Sequence, residues 1–261
     1  METQHRSQLR VLVLGGTTEA TALASRLAED ARFAGLLSLA GRTANPAASA
    51  LPVRVGGFGG AEGLARFIAS HPIDIVIDAT HPFAAQISAN AIAACRTVNC
   101  PLIALERPPW QPEACDRWQT FPTVAAAITG LPAEPARVFS GLGRLSLDEL
   151  LQAPQHHYIV RVIDPPSQPL KLPNVTTIAA RGPFRTGDDI ALFQEHRVDI
   201  VLAKNAGGTA AVAKIAAARA LGLRVMMIDR PHIPERPTFG TVDEVWQELT
   251  RHVAAPTERG V

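Results

Sequence analysis

Ile73-Asp74-Ile75-Val76-Ile77 runs directly into Asp78-Ala79-Thr80-His81-Pro82-Phe83, and a helical pattern follows from Ala84 to Val98. A short apolar run that delivers polar and rigid residues to the start of a helix marks one strand–helix unit of a parallel sheet. In such sheets ligands bind outside the carboxyl ends of the strands, where loops feed helix N-termini. Asp78, Ala79, Thr80 and His81 stand at such an end, which makes them candidates for facing a ligand. Helix capping is the competing account: Asp78 or Thr80 would satisfy orphan N–H groups, and Pro82 would fill the first turn. Capping covers two of the four polar or rigid residues.

The same alternation extends along most of the chain. Val11–Leu14, Gly35–Ala40, Leu51–Val55 and Pro101–Leu105 read as strands, with helices at Thr18–Glu29 and Gly60–Ser70. Between Glu106 and Pro135 prolines recur around one helical stretch, Thr123–Thr129, which reads as a crossover and inter-domain connection. Alternation then restarts. Strands are expected at Ala136–Ser140, Tyr158–Ile163, Val175–Ala180, Val198–Ala203 and Arg224–Ile228, and helices at Ser146–Gln152, Thr186–His196, Gly208–Leu221 and Val242–Val253. The expected class is α/β, with parallel sheets in two halves of about 130 and about 120 residues. The first half spans 1–135, the second 136–254, and 255–261 forms a tail.

Composition narrows the function. With 47% apolar and 19% charged residues in 261, the chain can bury a substantial core. No apolar run reaches the ~18 residues of a membrane span. Met1 to Arg10 is polar and lacks a signal peptide's apolar region. Three cysteines, Cys95, Cys100 and Cys115, make neither a CxxC pair nor an even disulfide framework, so a reducing cytoplasm is expected. A net charge of +1 and 5% aromatic residues argue against nucleic acid. The 25 cationic residues comprise 22 Arg and three Lys, at Lys171, Lys204 and Lys214. GC-rich coding produces that bias on its own, yet Arg also offers bidentate recognition of carboxylate and phosphate.

Six strand ends carry the remaining signals. Leu14-Gly15-Gly16-Thr17-Thr18-Glu19-Ala20 joins the first strand to the first helix, and two glycines there let a phosphate approach the helix N-terminus. It is not the full GxGxxG fingerprint, and any tight turn between strand and helix can use Gly-Gly. Arg42 follows the second strand, about 25 residues beyond the glycines, where an Arg accommodates the 2′-phosphate of NADP; a solvated loop Arg is the alternative. Ala203-Lys204-Asn205-Ala206-Gly207-Gly208-Thr209 repeats the arrangement of strand, glycine turn and helix and resembles an anion site, with a surface Lys beside a glycine cap as the alternative. Ser140-Gly141, Arg181 and Arg230 also follow apolar strands, so their loops should share one edge of the second sheet, suited to a ligand with several carboxylates. A metal centre is not expected. His156 and His157 would point to opposite faces of a strand, and neither HExxH nor a zinc spacing occurs. Gly56–Gly60 reads as a flexible turn, and no GxSxG or Walker lysine motif is present.

Together these motifs resemble the precorrin-6A reductase family of cobalamin biosynthesis. The matching pieces are LGGTTEATALA from Leu14, DATHPFAAQISANA from Asp78, LERPPW from Leu105, KNAGG from Lys204 and AARALGLRVMMIDRP ending at Pro231. Ala206 departs from the family's usual Ser. The resemblance implies two Rossmann-like domains, an NADPH-binding one at 1–135 and a macrocycle-binding one at 136–254, with the active site in the cleft between them. It implies hydride transfer from NADPH to a tetrapyrrole-derived macrocycle, giving precorrin-6B. Gly15, Gly16, Thr17 and Thr18 would hold the pyrophosphate and Arg42 the 2′-phosphate, with Asp78, Ala79 and Thr80 also against the cofactor. His81 would lie near the nicotinamide or the macrocycle. Ser140, Gly141, Arg181, Lys204, Asn205, Gly207, Gly208 and Arg230 would grip substrate carboxylates. Lys204, His81 or water would supply the proton. Two other classes share the architecture: a two-domain nucleotide-sugar glycosyltransferase and a non-catalytic dinucleotide sensor. The first would need a carboxylate for a ribose in the second half; the second would need no Arg-rich strand ends.

Overall fold

The computed structural model describes residues 8–41, 48–163 and 170–254. From the N-terminal side the elements are β1 (Leu9–Leu14), α1 (Thr18–Ala28), β2 (Phe33–Leu39), β3 (Val53–Val55), α2 (Gly60–Ser70), β4 (Ile75–Asp78), α3 (Ala85–Thr97) and β5 (Leu102–Leu105). There follow β6 (Arg117–Phe121), α4 (Val124–Thr129), β7 (Arg137–Ser140), β8 (His157–Val162), β9 (Val175–Ala179), α5 (Thr186–Glu195), β10 (Ile200–Lys204), α6 (Ala213–Ala220) and β11 (Arg224–Ile228). The chain ends in β12 (Thr238–Phe239) and α7 (Val242–Ala254).

Two sheets form, and every pairing in them is parallel: β12-β5-β4-β1-β2-β3 and β6-β11-β10-β7-β8-β9. Each runs outward from its central strand in both directions, the doubly wound arrangement expected of alternating strands and helices. In the first sheet Val11, Val13, Ile75 and Ile77 pack on α1 and α7, while Leu12, Leu14 and Val76 pack on α2 and α3. Successive residues point to opposite faces, and both faces are covered, which is why these strands read as unbroken apolar runs. In the second sheet Phe139, Ile159, Val201, Val225 and Met227 pack with Phe193 of α5 and Ile215 of α6. Among the described residues no helix is long and apolar enough to cross a membrane.

The compact units are Met1–Arg107 with His232–Val261, and Pro108–Pro231, in place of a single division at 135/136. The outer strand of each sheet causes the difference. β6 precedes β7 in sequence but pairs with β11, so the second unit begins at Pro108. β12 pairs with β5, and α7 buries Val245 and Leu249 against the first sheet, so the C-terminal segment belongs to the first unit. Two helices also differ. Ser146–Gln152 is replaced by two short 3-10 turns, Arg144–Ser146 and Asp148–Gln152. The helix expected at Gly208 begins at Ala213, because Gly207 and Gly208 adopt φ of +67° and +69°, outside the α-helical region.

Two outcomes follow from this packing. Leu249 is fully buried against the first sheet, so Leu249→Ala should destabilise the protein by about 2–5 kcal/mol in urea denaturation. His156 is also fully buried. Its Nδ1 accepts the Ala136 N–H at 3.1 Å, which keeps the ring neutral, and burial lowers its pKa. The unfolded chain would take up a proton near the ordinary value of 6.5, whereas the folded one resists until lower pH. This contribution to stability is present above the unfolded pKa and is lost as pH falls through the folded one. The urea midpoint should therefore drop between about pH 7.5 and about pH 5.5. His156→Asn, which keeps an acceptor, should flatten that slope; an unchanged slope would assign it to other groups.

Candidate functional site

In the first sheet the chain winds away from β1 on both sides, toward β2 and toward β4. The loops after β1 and β4 therefore diverge, and the crevice they leave is the usual ligand position of such sheets. Thr17 closes its base. Its Oγ1 caps α1 by accepting the Ala20 N–H at 3.1 Å and donates to the Ala79 carbonyl at 2.8 Å. Gly16 precedes it at φ +122°, a conformation that side chains rarely adopt. Thr18 donates to Glu19, whose carboxylate meets Arg107 at 2.6 Å. Burial raises the Glu19 pKa, but its own backbone N–H and the Arg107 guanidinium outweigh that and hold it below the usual carboxylate value. The first turn of α1 thus carries a carboxylate whose charge is matched.

Asp78 is the last residue of β4, with its side chain 1% exposed. Its Oδ1 accepts the Thr80 N–H at 3.2 Å and the Thr80 hydroxyl at 2.7 Å, the local turn that Asp favours. Its Oδ2 lies 3.4 Å from Arg236 Nη2, which also meets Glu106 at 3.1 Å. His81 Nδ1 accepts the Phe83 N–H at 3.2 Å, which leaves the neutral ring's proton on Nε2. Gly15, Gly16, Thr17, Thr18, Asp78, Ala79, Thr80 and His81 therefore gather at one carboxyl edge of the first unit. Arg42 lies outside the described residues.

In the second unit the corresponding crevice lies between β7 and β10. Ser140 is fully buried there, and its hydroxyl has no hydrogen-bond partner among the described residues. The Gly141 N–H donates to the Leu202 carbonyl at 3.0 Å. Lys204 ends β10 and donates from Nζ to Ser146 Oγ at 3.0 Å. Asn205 braces its own unit. Its Oδ1 accepts the Trp110 N–H at 2.8 Å, and its Nδ2 donates to the Trp110 carbonyl at 3.0 Å. The Trp110 indole N–H donates to Gly208 at 2.8 Å, and Arg230 Nε donates to the Asn205 carbonyl at 3.0 Å. Gly207 is obligatory in this loop, since a Cβ would stand 2.1 Å from the Pro108 carbonyl oxygen. A cavity of about 560 Å³ opens beside the loop, lined by Trp110, Trp118, Asn205, Met227, Asp229 and Arg230.

One expectation needs correction. The KNAGG loop does not abut a helix N-terminus, because α6 starts only at Ala213. Arg181 shares the carboxyl edge with Arg230 and follows β9, four strand positions from β11, or ~19 Å at the usual spacing. Sequence reasoning missed Trp110, Ser146, Lys214 and Arg236. Lys214, whose ammonium lies over the Trp110 ring at 4.9 Å, was marked only by the rarity of lysine, and Trp110 only by the LERPPW resemblance.

The precorrin-6x reductase CbiJ/CobK family model matches residues 10–250. The chain belongs to the precorrin-6x reductase family. The precorrin-6A reductase of Rhodobacter capsulatus is 50% identical over 252 residues, 97% of this chain and 99% of that relative. The Sinorhizobium sp precorrin-6A reductase is 45% identical, covering 97% of each chain. The Priestia megaterium cobalt-precorrin-6A reductase is 30% identical over 92% of this chain and 97% of the relative. A solved CobK precorrin-6A reductase superposes with a TM-score of 0.91 at 49% identity, covering 97% of this chain and 100% of that one. Membership of this reductase family sets aside the glycosyltransferase and sensor alternatives.

Asn205→Ala separates this bracing role from direct substrate contact. Loss of two hydrogen bonds to the Trp110 backbone should lower stability by about 2–3 kcal/mol. Denaturation followed by tryptophan fluorescence would measure it. Unchanged stability with a raised substrate KM would instead make Asn205 a ligand contact.

Proposed function

We propose that NADPH is the hydride donor for this oxidoreductase, that it lies along the carboxyl edge of the first sheet, and that the acceptor is the metal-free macrocycle precorrin-6A. The reduction of precorrin-6A to its dihydro form, a step of cobalamin biosynthesis, is the activity of this family. The near-full-length likeness to precorrin-6A reductases at 45–50% identity carries the reading. The lower identity, 30%, of the cobalt-precorrin relative favours the metal-free substrate. When bound, the nicotinamide supplies the hydride, and the protein's work is placement and charge.

The residues present fit a dinucleotide. Gly15 and Gly16 expose backbone at the start of α1, whose N-terminus favours anions. Glu19 would oppose a phosphate there, but Arg107 offsets its charge at 2.6 Å. Arg42 is proposed for the 2′-phosphate, and Asp78, Ala79 and Thr80 for the opposite wall of the crevice. In the second unit Lys204, Gly207, Gly208 and Arg230 are proposed to hold acetate and propionate groups of the macrocycle, with Ser140, Gly141 and Arg181 on the same edge. Asn205 supports that loop through Trp110. His81, with its proton on Nε2, and Lys204, tethered to Ser146, are the proposed proton sources.

Anaerobic incubation of the protein with the metal-free macrocycle and NADPH, followed in the visible spectrum, tests the reaction. The chromophore should change with stoichiometric loss of NADPH absorbance; no change with NADPH would overturn the proposed donor. Arg42→Ala should raise the Kd for NADPH by about 10- to 100-fold, the cost of one charge-assisted phosphate contact, and leave NADH nearly untouched. Equal weakening of both cofactors, read by calorimetry, would remove Arg42 from the 2′-phosphate.

A further inference from the structure

We infer that Arg236 is a positioning residue for the reaction, acting through Asp78 on the Thr80–His81 turn. The inference rests on the reading of that turn as part of the cofactor and substrate site. Arg236 lies far from the turn in sequence, between Glu235 and Pro237, in a stretch without periodicity. It stands two residues before β12, on the outer edge of the first sheet. Reaching Asp78 means crossing β5 to β4, two strand spacings or ~10 Å, which only a long cationic side chain can do.

Burial makes the contact consequential. The side chains of Arg236 and Asp78 are 8% and 1% exposed. A carboxylate that deep requires a countercharge as well as hydrogen-bond donors. Asp78 Oδ1 is occupied by the two donors of Thr80, while Oδ2 faces Arg236 Nη2 without a hydrogen bond from any described group. The plane of the carboxylate is therefore set by the guanidinium on one side and presented to Thr80 on the other. Arg236 is itself fixed. Nη2 meets Glu106 at 3.1 Å, the Thr238 hydroxyl donates to the Arg236 carbonyl at 2.9 Å, and the Pro237 and Phe239 carbonyls just beyond it accept the Ala104 and Glu106 N–H groups of the β5 edge. In the two-residue β12 Thr238 is exposed and Phe239 is half-buried against the first core. The strand's ladder anchors the arginine.

Arg236→Lys keeps the charge and loses the planar fork, which avoids leaving the buried Asp78 carboxylate without its countercharge. In the full-length protein it should speed hydrogen exchange of the Thr80 amide about tenfold and lower kcat about tenfold, with the KM for NADPH changed less than about threefold. Combined with Asp78→Asn, it should lower kcat less than about twofold further, since both act on one element. Unchanged Thr80 exchange, or fully multiplicative effects on kcat, would overturn the inference. Faster exchange with unchanged kcat would confirm the coupling and instead overturn the placement of this turn in the reaction. If the lysine variant does not fold, Asp78→Asn alone carries the test. It keeps an acceptor for Thr80 and removes the attraction to Arg236, so exchange must rise and kcat fall, or the inference is overturned.

Discussion

The parallel pairing of β1 with β4 governs the first unit. Leu14 stands opposite Asp78 in that pairing, so the turn after one strand and the turn after the other leave the sheet side by side. β1 continues to α1 and β2 on one side, and β4 lies on the other, so the two turns must separate. They are tied at the base through Ala79, whose N–H donates to the Leu14 carbonyl and whose carbonyl accepts the Thr17 hydroxyl. The glycine at 16 and the Asx turn at 78–80 are local answers to the same demand: backbone must leave a buried strand within a few residues and enter a helix. The second sheet repeats the solution between β7 and β10, with Gly141 bonded to Leu202 across the gap.

Charge in the described loops is arranged inward. Arg54 donates to the carbonyls of Gly56 and Gly57 under the ring of Phe58, so the glycine turn is anchored rather than loose. Arg107 meets Glu19, Arg230 meets the carbonyls of the KNAGG loop, and Arg236 meets two carboxylates. Two carbonyls or two acids facing a single side chain demand a branched, planar donor, which lysine cannot provide. The arginine bias thus has a structural use, whatever coding preference contributes to it.

The strands buried on both faces were legible because nothing in them interrupts the apolar run. β6 was not, since Arg117-Trp118-Gln119-Thr120-Phe121 lies at a sheet edge, mostly exposed, and pairs with a strand over a hundred residues later. β12, with two residues, carries no periodicity at all. Both fill the outer position of a sheet out of chain order, and the domain boundary moved with them. At the site, the motif positions were legible because strand ends are. The direction of each side chain was not. Asn205 looks in sequence like a ligand contact and in the fold clasps a tryptophan 95 residues away. The start of α6 was misplaced for a related reason: two glycines in the left-handed region look, in one dimension, like any helix-entry turn.

That contrast bears on how a reductase of this kind can work with few committed side chains. Hydride transfer needs neither a nucleophile nor a strong base from the protein; it needs two large ligands held at short range with their charges matched. A site with that requirement is best built from rigid backbone, because side chains that reach for ligand lose conformational entropy each time it binds. The loops here follow that logic. Thr17, Asp78, Asn205 and Arg230 direct their hydrogen bonds to the backbone of their own unit, and the turns they fix are those that carry Gly16, Thr80, Gly207 and Gly208. Lys204 is restrained in the same way, its ammonium tied to the buried Ser146 at the end of β10. Preorganisation of this sort lets strand-end side chains fix the turns that carry the groups proposed to meet ligand.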